Sequence, residues 1–505
     1  MQTEPQADRF AATYDRGEAQ VVWTTLVADL ETPVSAYLKV SAGRPMSFLL
    51  ESVEGGAVRG RYSIIGLDPD LIWRAQDGRV EINRAARTRP DAFVTVDDRP
   101  LHALRALLAE SRIALPEALP PMAAGVFGYL GYDMVREMEE LPSPNPDVIG
   151  TPDAILIRPT VIVVFDAVND TMTVVTPVRP DPAVTAAAAM SRATERLAAI
   201  VDALERPLDH EAAAMPDGPL TVAPTSNTAP EEFAAMVARA KDYIAAGDIF
   251  QVVLAQRFEA PFELPPFSLY RALRRVNPSP FLYYLDFGDH AVAGSSPEIL
   301  VRVRDNVVTI RPLAGTRPRA ANAVEDKALE ADLLADPKEL AEHLMLLDLG
   351  RNDVGRVAQI GTVNVTEQFQ IERFSQVMHI VSNVEGQLDP KYDALDALAG
   401  GFPAGTVSGA PKVRAMEIID ELEKEKRGLY AGCVGYFSAA GEMDTCIVLR
   451  TALVKDGKMY VQAGAGIVAD SDPKAEQQEC VNKAKALFRA AEEARRFASA
   501  ARRGQ

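Results

Sequence analysis

Short apolar runs separated by polar turns dominate the first two hundred residues, and this pattern is typical of β-strands. One long amphipathic stretch, rich in alanine, interrupts the pattern between Thr185 and Glu205 and predicts a helix. The predicted strands read QVVWTTLVADL, SFLLESV, ILIRPTVIVVFDAV and TMTVVTPV in chain order.

A second set of elements begins after a proline-rich stretch. Thr228 can cap a helix whose first turn holds Pro230 and acidic residues, and Gly247 ends this helix. Hairpins interrupted by helices follow, rather than a regular alternation of strands and helices, so we expect an α+β fold of antiparallel β-sheets flanked by helices. The strands read IFQVVLAQRFEAPF, FLYYLDF, TVNVTEQFQ, QVMHIVSNVEGQL, YAGCVGYFSA, CIVLRTALV and KMYVQAGAGIV, and the helices read KALEADLLADPKELAEHLMLLDLG, APKVRAMEIIDELEK and PKAEQQECVNKAKALFRAAEEARR.

Composition divides the chain into segments. Five prolines and few large apolar residues lie between Arg206 and Pro230, which is typical of a linker that crosses the surface. We therefore expect an N-terminal half over residues 1–205, a linker over 206–227, a second domain over 228–490 and a basic C-terminal tail over 491–505.

Charge and cysteine content narrow the class of protein. The 505 residues carry a formal net charge of -18, which argues against a surface for nucleic acid or for an anionic membrane. The first residues are polar and acidic, unlike a signal peptide, and no apolar run approaches the ~18–20 residues that span a bilayer. The three cysteines match no zinc-binding spacing. We expect a cytoplasmic protein in a reducing compartment.

Two predicted helices carry carboxylates at helical spacing. Glu339, Glu342 and His343 share one face of the first helix, and Glu476, Glu479 and Lys483 share a face of the second. These faces are either solvated surfaces or the two halves of a site for a hard divalent cation such as Mg²⁺, which takes one or two protein carboxylates. The spacing alone does not decide between these readings.

Two glycine-rich segments are also ambiguous. The stretch QAGAGIVADSDP is not a dinucleotide fingerprint, because no helix opens at its glycines; it forms either a tight bend or a place where the backbone approaches a ligand. The stretch GFPAGTVSGAPK precedes a helix with Lys412 and Arg414 in its first turn, where cations oppose the helix dipole. An anion site would explain these cations, as would a structural role.

Taken in order along the chain, ten motifs are far more specific than any one of them. They read LLES, NPSPFLYYL, SSPE, PLAGTRPR, KELAEHLMLLDLGRND, FSQVMHIVSNVEG, GTVSGAPKVRAM, RGLYAGCVGYF, DTCIVLRTA and QAGAGIVADSDP. This series resembles the large, aminating subunits of anthranilate synthases, which belong to the chorismate-utilising enzymes. The resemblance covers nearly the whole chain and is densest from Pro230 to about Leu487.

Two positions separate this chain from other branches of that family. Ala314 stands where the aminodeoxychorismate synthases carry a nucleophilic lysine, and a methyl group cannot form a covalent bond to the substrate. Gln251 stands where isochorismate and salicylate synthases carry a water-activating lysine, and a neutral amide is a poor base. The resemblance therefore implies that free ammonia is the nucleophile. An aminodeoxychorismate synthase, or a catalytically silent amino-acid sensor with this fold, remains an alternative.

The resemblance also implies a chemistry and its residues. Ammonia attacks C2 of chorismate, the C4 hydroxyl leaves, and elimination of pyruvate yields anthranilate, with Mg²⁺ held by Glu342 and Glu479 beside the ring carboxylate. His379 would assist departure of the C4 hydroxyl as an acid or hydrogen-bond donor, and Thr406 and Glu298 would line the same pocket. The substrate-binding residues implied are Gly315, Thr316, Tyr430, Arg450, Gly464, Ala465 and Gly466.

Two partners follow from the same resemblance. No cysteine stands in the nucleophile turn of a glutamine amidotransferase, so a separate amidotransferase subunit, the component II of these enzymes, would supply ammonia. Tryptophan would inhibit the enzyme from the N-terminal half, because LLES matches the family's tryptophan-binding signature. The tryptophan-site residues implied are Ser52, Pro280, Phe281 and Leu282, although Phe281 and Leu282 replace the tyrosine and methionine usual in the family.

Overall fold

The computed structural model describes residues 1–54, 58–208, 223–374 and 377–498. The strands in these ranges are β1 Gln20–Val27, β2 Ser47–Glu54, β3 Val58–Gln76, β4 Arg79–Asn83, β5 Val94–Val96, β6 Gly125–Leu130, β7 Ala154–Asp166, β8 Thr171–Val178, β9 Thr225–Ser226, β10 Gln251–Pro261, β11 Phe281–Asp286, β12 His290–Ser296, β13 Ile299–Arg304, β14 Val307–Ile310, β15 Leu313–Pro318, β16 Asn364–Arg373, β17 Val377–Gln387, β18 Gly409–Ala410, β19 Cys433–Ser438, β20 Met443–Ile447, β21 Thr451–Lys455 and β22 Lys458–Ile467. The α-helices are α1 Ala7–Tyr14, α2 Pro33–Ser41, α3 Pro100–Glu110, α4 Ala186–Glu205, α5 Pro230–Ala246, α6 Pro266–Val276, α7 Ala323–Ala335, α8 Pro337–Gly355, α9 Ala394–Gly401, α10 Lys412–Leu422 and α11 Pro473–Ala494.

Two series of antiparallel strands leave the central antiparallel pair β3–β7. On the side of β3 they are β2, β11, β12, β21, β22 and β10. On the side of β7 they are β6, β19, β20, β13, β14 and β17. Helices such as α5, α6, α8 and α11 pack against these sheets. The predicted α+β fold of antiparallel sheets flanked by helices is confirmed.

The continuous apolar run of β7 is explained by burial on both faces. Every residue from Ala154 to Phe165 is buried. Val161 and Val163 face one hydrophobic cluster, which includes residues of α4, while Ile162 and Val164 face another. A half-buried strand would have alternated apolar with polar residues, so the run marks the middle of the molecule.

The two halves of the chain share their sheets. Strand β2 lies between β3 and β11, and strand β6 lies between β7 and β19. The four segments predicted above therefore divide the sequence by composition, whereas the β-sheets contain strands from both halves of the chain. Of the predicted linker, residues 209–222 lie outside the described residues, as do residues 499–505 of the predicted tail. The rest of that tail includes the end of α11, where Ala494 is buried together with Phe497.

Several local predictions were wrong. Ala229, not Thr228, is the N-terminal cap of α5, and the Glu232 carboxylate accepts the backbone N–H of Ala229 at 2.8 Å. The single helix predicted over residues 327–350 is divided into α7 and α8, because Asp336 leaves the helical conformation before Pro337 and caps α8 with its carboxylate. Across the described ranges, none of the helices is long and apolar enough to span a membrane.

Candidate active site

The predicted site residues converge where β10 and β22 pair beneath α8 and α11. Gln251, the first residue of β10, donates its side-chain N–H to Glu342 Oε1 on α8 at 3.1 Å. The Oε1 of this buried glutamine has no partner among the described residues. A Cβ at Gly466 would lie 2.6 Å from Gln251 Nε2, so a side chain at this position would displace the amide from its present place. The glycine-rich segment predicted either a tight bend or a close approach of the backbone to a ligand. In this structure the group that lies against Gly466 is the side chain of Gln251.

Two carboxylates from different helices share this end of the site. Burial raises the pKa of Glu342, and the carboxylates of Glu339 and Glu479 raise it further. Glu479, on α11, pairs with Lys483 at 2.7 Å, and Lys483 also donates to the carbonyl oxygen of Gly464 at 2.9 Å. Lys483 was predicted only as a neighbour on the helix face, yet its spacing of four residues from Glu479 was a signal for this pair.

This donor set fits a hard divalent cation. The carboxylate oxygens of Glu342 and Glu479 are the ligand type that Mg²⁺ prefers, and their mutual repulsion is relieved by a cation. In the part of the chain that the structure describes, no group of three or more His, Cys, Asp and Glu residues is arranged to hold a metal. A two-carboxylate site completed by water and substrate is therefore the arrangement that these residues allow.

His379 is held at the pairing of β15 and β17. Its Nδ1 lies 2.9 Å from the carbonyl oxygen of Gly315 and 3.1 Å from Thr316 Oγ1. Because a carbonyl only accepts, Nδ1 carries the proton and Nε2 presents its lone pair. Nε2 has no partner among the described residues. Burial lowers the pKa of His379 to about 4, and the positive charges of Arg450 and Lys483 contribute.

Glu298 is a buried acid between β12 and β13. The Thr406 hydroxyl contacts both of its oxygens, at 3.1 and 3.2 Å. Burial raises the pKa of Glu298 to about 8, although the contacts with Thr406 and the backbone N–H of Leu313 and the charge of Arg450 lower it. At neutral pH this carboxyl is therefore protonated and holds a proton that it can give.

Arg450 interrupts what the apolar pattern predicted as one strand over residues 446–454. The chain leaves β20 after Ile447 and enters β21 at Thr451, with Arg450 between them at a φ of 48°. Burial lowers the pKa of Arg450, and throughout the described ranges no carboxylate pairs with its guanidinium. The positive charge of Arg450 lowers the pKa of two neighbouring site residues, Glu298 and His379. An unpaired, largely desolvated guanidinium is suited to binding a carboxylate.

The remaining predicted residues differ in how far the geometry supports them. Tyr430 is buried with its hydroxyl 2.8 Å from where a Cβ of Gly464 would lie, so it adjoins the glycine-rich strand. Ala465 is buried in β22 opposite Leu254. The anion site considered at the start of α10 is not supported, because Lys412 pairs with buried Asp353 at 2.9 Å and Arg414 pairs with Asp248 and Glu417.

The predicted tryptophan-site residues border a cavity of about 590 Å³. Ser52 on β2 lies directly opposite Phe281 on β11, and Ser52 Oγ donates to the carbonyl oxygen of Tyr62 at 3.0 Å. Pro280, Phe281 and Leu282 form one wall, and charged residues such as Arg302 and Asp444 lie elsewhere on the lining. The cavity extends to Glu298, so it reaches from the N-terminal half to the buried acid of the active site.

Comparison with known proteins identifies close relatives. A family model described as chorismate binding enzyme matches residues 60–489. The chain is 58% identical over 500 residues to anthranilate synthase component 1 of Cereibacter sphaeroides, covering 98% of this chain and 99% of that protein. It is 49% identical over 468 residues to the protein of the same name from Pseudomonas putida, covering 92% and 93%.

Solved structures lead to the same group. The crystal structure of anthranilate synthase component I from Streptococcus pneumoniae matches with a TM-score of 0.76 at 38% identity, covering 92% of this chain and 98% of that one. A menaquinone-specific isochorismate synthase from Escherichia coli shares the fold, with a TM-score of 0.68 at 20% identity, covering 96% and 100%.

Proposed function

The chain belongs to the chorismate binding enzymes and, within them, to the anthranilate synthase component I family, and from that membership we propose how it works. It converts chorismate and ammonia to anthranilate, pyruvate and water with Mg²⁺ as cofactor. A glutamine amidotransferase subunit, component II, delivers the ammonia, and tryptophan inhibits the reaction.

The observation that carries the choice of ammonia is the unpartnered carbonyl oxygen of Gln251 beside Glu342. This buried acceptor suits an N–H donor, whereas a neutral amide cannot deprotonate water. Ala314 is buried on β15 and offers only a methyl group, so no side chain there competes as a nucleophile. Both features favour an amine that arrives as free NH₃.

Chorismate binding rests on the positive charges of Arg450 and Lys483. Arg450 offers its guanidinium to one carboxylate of the substrate. Lys483, which is shared between Glu479 and the Gly464 carbonyl, adds positive charge next to Gly464 and Tyr430. Gly315 and Thr316 border the same space through their contacts with His379.

Loss of the C4 hydroxyl as water requires a proton. Glu298 is the residue best able to supply it, because its pKa of about 8 keeps it protonated at neutral pH. His379 has a pKa of about 4, donates a hydrogen bond from Nδ1 to the Gly315 carbonyl oxygen, and offers only an acceptor at Nε2 in the free protein. The sequence predicted His379 as a donor. It takes that role only when the dianionic substrate has bound and raised its pKa.

Glu342 and Glu479 are the carboxylates that hold the cation. When bound, Mg²⁺ supplies Lewis-acid polarisation and a template for the ring carboxylate. Gln251 keeps Glu342 oriented by its hydrogen bond, and Lys483 does the same for Glu479.

The tryptophan site that we propose is the cavity bordered by Ser52 and Phe281. Its volume of about 590 Å³ lies within the range of small-molecule sites. Apolar residues suit an indole, while the arginine and carboxylate groups on the lining suit the two charges of an amino acid. Inhibition follows if tryptophan binds a low-activity arrangement more tightly than the active one.

The decisive experiment uses the purified chain with chorismate and Mg²⁺. With ammonium at alkaline pH, where free NH₃ is available, we expect fluorescent anthranilate and an equal amount of pyruvate. With glutamine in place of ammonium, we expect neither product until an amidotransferase subunit is added. Formation of aminodeoxychorismate without pyruvate, or glutamine-dependent synthesis by the single chain, would contradict the proposal.

A further inference from the structure

One arginine outside the predicted site binds three carboxylates at once. Arg317, on β15 directly after the predicted substrate residues, donates from Nε to Asp332 at 2.7 Å and from Nη2 to Asp336 at 2.9 Å. Its Nη1 donates to Glu339 at 3.0 Å and also to the backbone carbonyl oxygen of Thr316 at 3.0 Å. Each nitrogen of the guanidinium therefore has a defined acceptor.

The three carboxylates belong to the helices above the site. Asp332 lies on α7, Asp336 caps the start of α8, and Glu339 lies in the first turn of α8. Glu342, the proposed cation ligand, follows Glu339 by one helical turn. Arg317 thus ties the strand that carries Gly315 and Thr316 to the end of α8 that carries Glu342.

The strand is irregular at this point. Its pairing with β17 shifts register between Ala314 and Thr316, and Gly315 lies in the left-handed region with a φ of 71°. Such a bulge turns the backbone out of the regular ladder. Here the Gly315 carbonyl oxygen accepts from His379 Nδ1.

We propose that Arg317 is a positioning residue that holds the Gly315 bulge against α8 and thereby sets the tautomer of His379. The guanidinium fixes the Thr316 carbonyl, the preceding peptide presents the Gly315 carbonyl to Nδ1, and the lone pair of Nε2 is left facing the substrate. A lysine cannot replace it, because one ammonium group cannot bridge three carboxylates and a carbonyl with fixed geometry. This inference deepens the proposed function. Its kinetic test depends on that function, whereas its test by the His379 tautomer does not.

Arg319 provides a matched control two residues further along the chain. It makes a two-pronged ion pair with Asp326 of α7 at 2.9 and 3.1 Å and donates to the Phe374 carbonyl oxygen. Among the described residues it makes no hydrogen bond or ion pair with Thr316 or with α8. Replacing it removes an ion pair with α7 and a bond to Phe374, whose ring packs edge-on against His379, but it releases no contact of the bulge.

The first measurement needs no substrate. Nitrogen NMR of the full chain labelled at its five histidines reads which ring nitrogen bears the proton. His379 is assigned by the signal that disappears in His379→Gln. We expect the Nδ1–H form alone in the parent and in Arg319→Gln, and a mixture of the two tautomers in Arg317→Gln. A parent-like signal in Arg317→Gln overturns the proposal.

The second measurement is steady-state kinetics with ammonium. We expect kcat/KM for chorismate to fall about 10- to 100-fold in Arg317→Gln, the usual cost of removing such a supporting contact, with a rise in KM. A purely structural role would lower the fraction of active protein and leave KM unchanged, which also overturns the proposal. Arg317→Lys keeps one positive charge. It should be folded like the parent, and its KM should lie between the values of the parent and of Arg317→Gln. An inactive parent refutes the proposed function instead, while the tautomer still tests Arg317.

Discussion

At the scale of single residues, two acids of the site differ in burial and in their neighbours: Glu298 is buried, whereas Glu342 is half-buried. Glu298 contacts a hydroxyl and feels one cation, so burial dominates and its pKa rises to about 8. Glu342 lies among other carboxylates and accepts from Gln251, which suits a group that shares a cation. These differences suit Glu298 to donating a proton and Glu342 to sharing a cation.

For Glu298 we predict that Glu298→Gln lowers kcat about 10²- to 10⁴-fold, because the amide keeps the contact with Thr406 but has no proton to transfer. In the parent, kcat at a fixed concentration of free NH₃ should fall as pH rises above about 8. A variant with kcat within about ten-fold of the parent would exclude Glu298 as the main acid.

The same acid makes a stability prediction. The folded protein keeps the Glu298 proton up to pH about 8, while the unfolded chain loses it near the ordinary value of 4.5. More protons are bound in the folded state within this window, so the free energy of unfolding falls as pH rises through it. In Glu298→Gln this decrease should be smaller by roughly a few kcal/mol in denaturant titrations across the window. Parallel curves for the two proteins would show that Glu298 is ionised when folded.

For the cation we predict that Glu342→Gln and Glu479→Gln each abolish activity while the protein stays folded, because loss of either carboxylate leaves Mg²⁺ under-neutralised and the substrate carboxylate misplaced. Glu493→Gln is the control: it lies on the same helix as Glu479, about 21 Å further along, and pairs with Arg496. Turnover against Mg²⁺ concentration and circular dichroism provide the measurement. Near-parental turnover at saturating Mg²⁺ would remove the residue concerned from the cation site.

At the scale of elements, the irregular β15 does what a regular strand could not. A side chain at Gly315 would be strained by the positive φ and would lie 3.2–3.3 Å from Ile380, Glu339 and Leu333. We predict that Gly315→Ala lowers the free energy of unfolding by about 1–3 kcal/mol and also raises KM for chorismate. The measurements are denaturant titration and steady-state kinetics.

A control at Gly361 distinguishes the loss of stability caused by backbone strain from the rise in KM. Gly361 has a φ of 83° with nothing within 4 Å of its would-be Cβ. Gly361→Ala should therefore show the conformational strain without the change in KM. A Gly315→Ala variant that differs from the parent no more than Gly361→Ala does would mean that the bulge has no role in the site.

The sequence predicted the elements whose patterns are local. Helix α4, strands β1 and β8, and the helical spacing of Glu342 and Glu479 could all be read from neighbouring residues. The break at Arg450 could not, because Ile447 to Val454 remains apolar on both sides of it and the turn depends on tertiary pairing. The long β3 was missed for a related reason: its two glycines, its proline and its aspartates suggest turns, while pairing with β7 keeps it extended.

The same distinction between local patterns and tertiary contacts applies to the site residues. The resemblance named the groups in the site, but the unpartnered oxygen of Gln251, the tautomer of His379 and the ties of Arg317 depend on contacts between elements far apart in sequence. No spacing rule reports such contacts. The division into halves likewise did not reveal that Ser52 and Phe281 lie opposite each other in one sheet.

At the scale of the whole molecule, the shared sheet links the cavity beside Ser52 and Phe281 to the candidate active site. Phe281 pairs with Ser52 on one side and with Ser296 on the other, and Ser296 Oγ donates to the Ile447 carbonyl oxygen at 2.6 Å. The backbone N–H of Ile447 donates in turn to the carbonyl oxygen of Glu298 at 3.0 Å. A ligand that moves β11 can therefore act on the acid through two strands.

We predict that tryptophan inhibits the parent and that Ser52→Phe relieves this inhibition, because the larger side chain fills the cavity. Ammonium-dependent activity without tryptophan should change little, and it serves as the internal control. The measurement is anthranilate formation against tryptophan concentration for both proteins. A parent indifferent to millimolar tryptophan, or a variant inhibited as strongly as the parent, would end this proposal.

The interleaved sheets also affect how the chain is made. Strand β6 ends at Leu130, but its partner β19 begins only at Cys433, roughly 300 residues later. At about 5–20 residues per second, the ribosome needs roughly 15 to 60 s to supply that partner. During this time the emerging chain has an unpaired sheet edge, which is a template for association with other chains. Synthesis of this protein should therefore depend on chaperones that cover nascent strands, and its yield should respond to translation speed more than its final stability suggests.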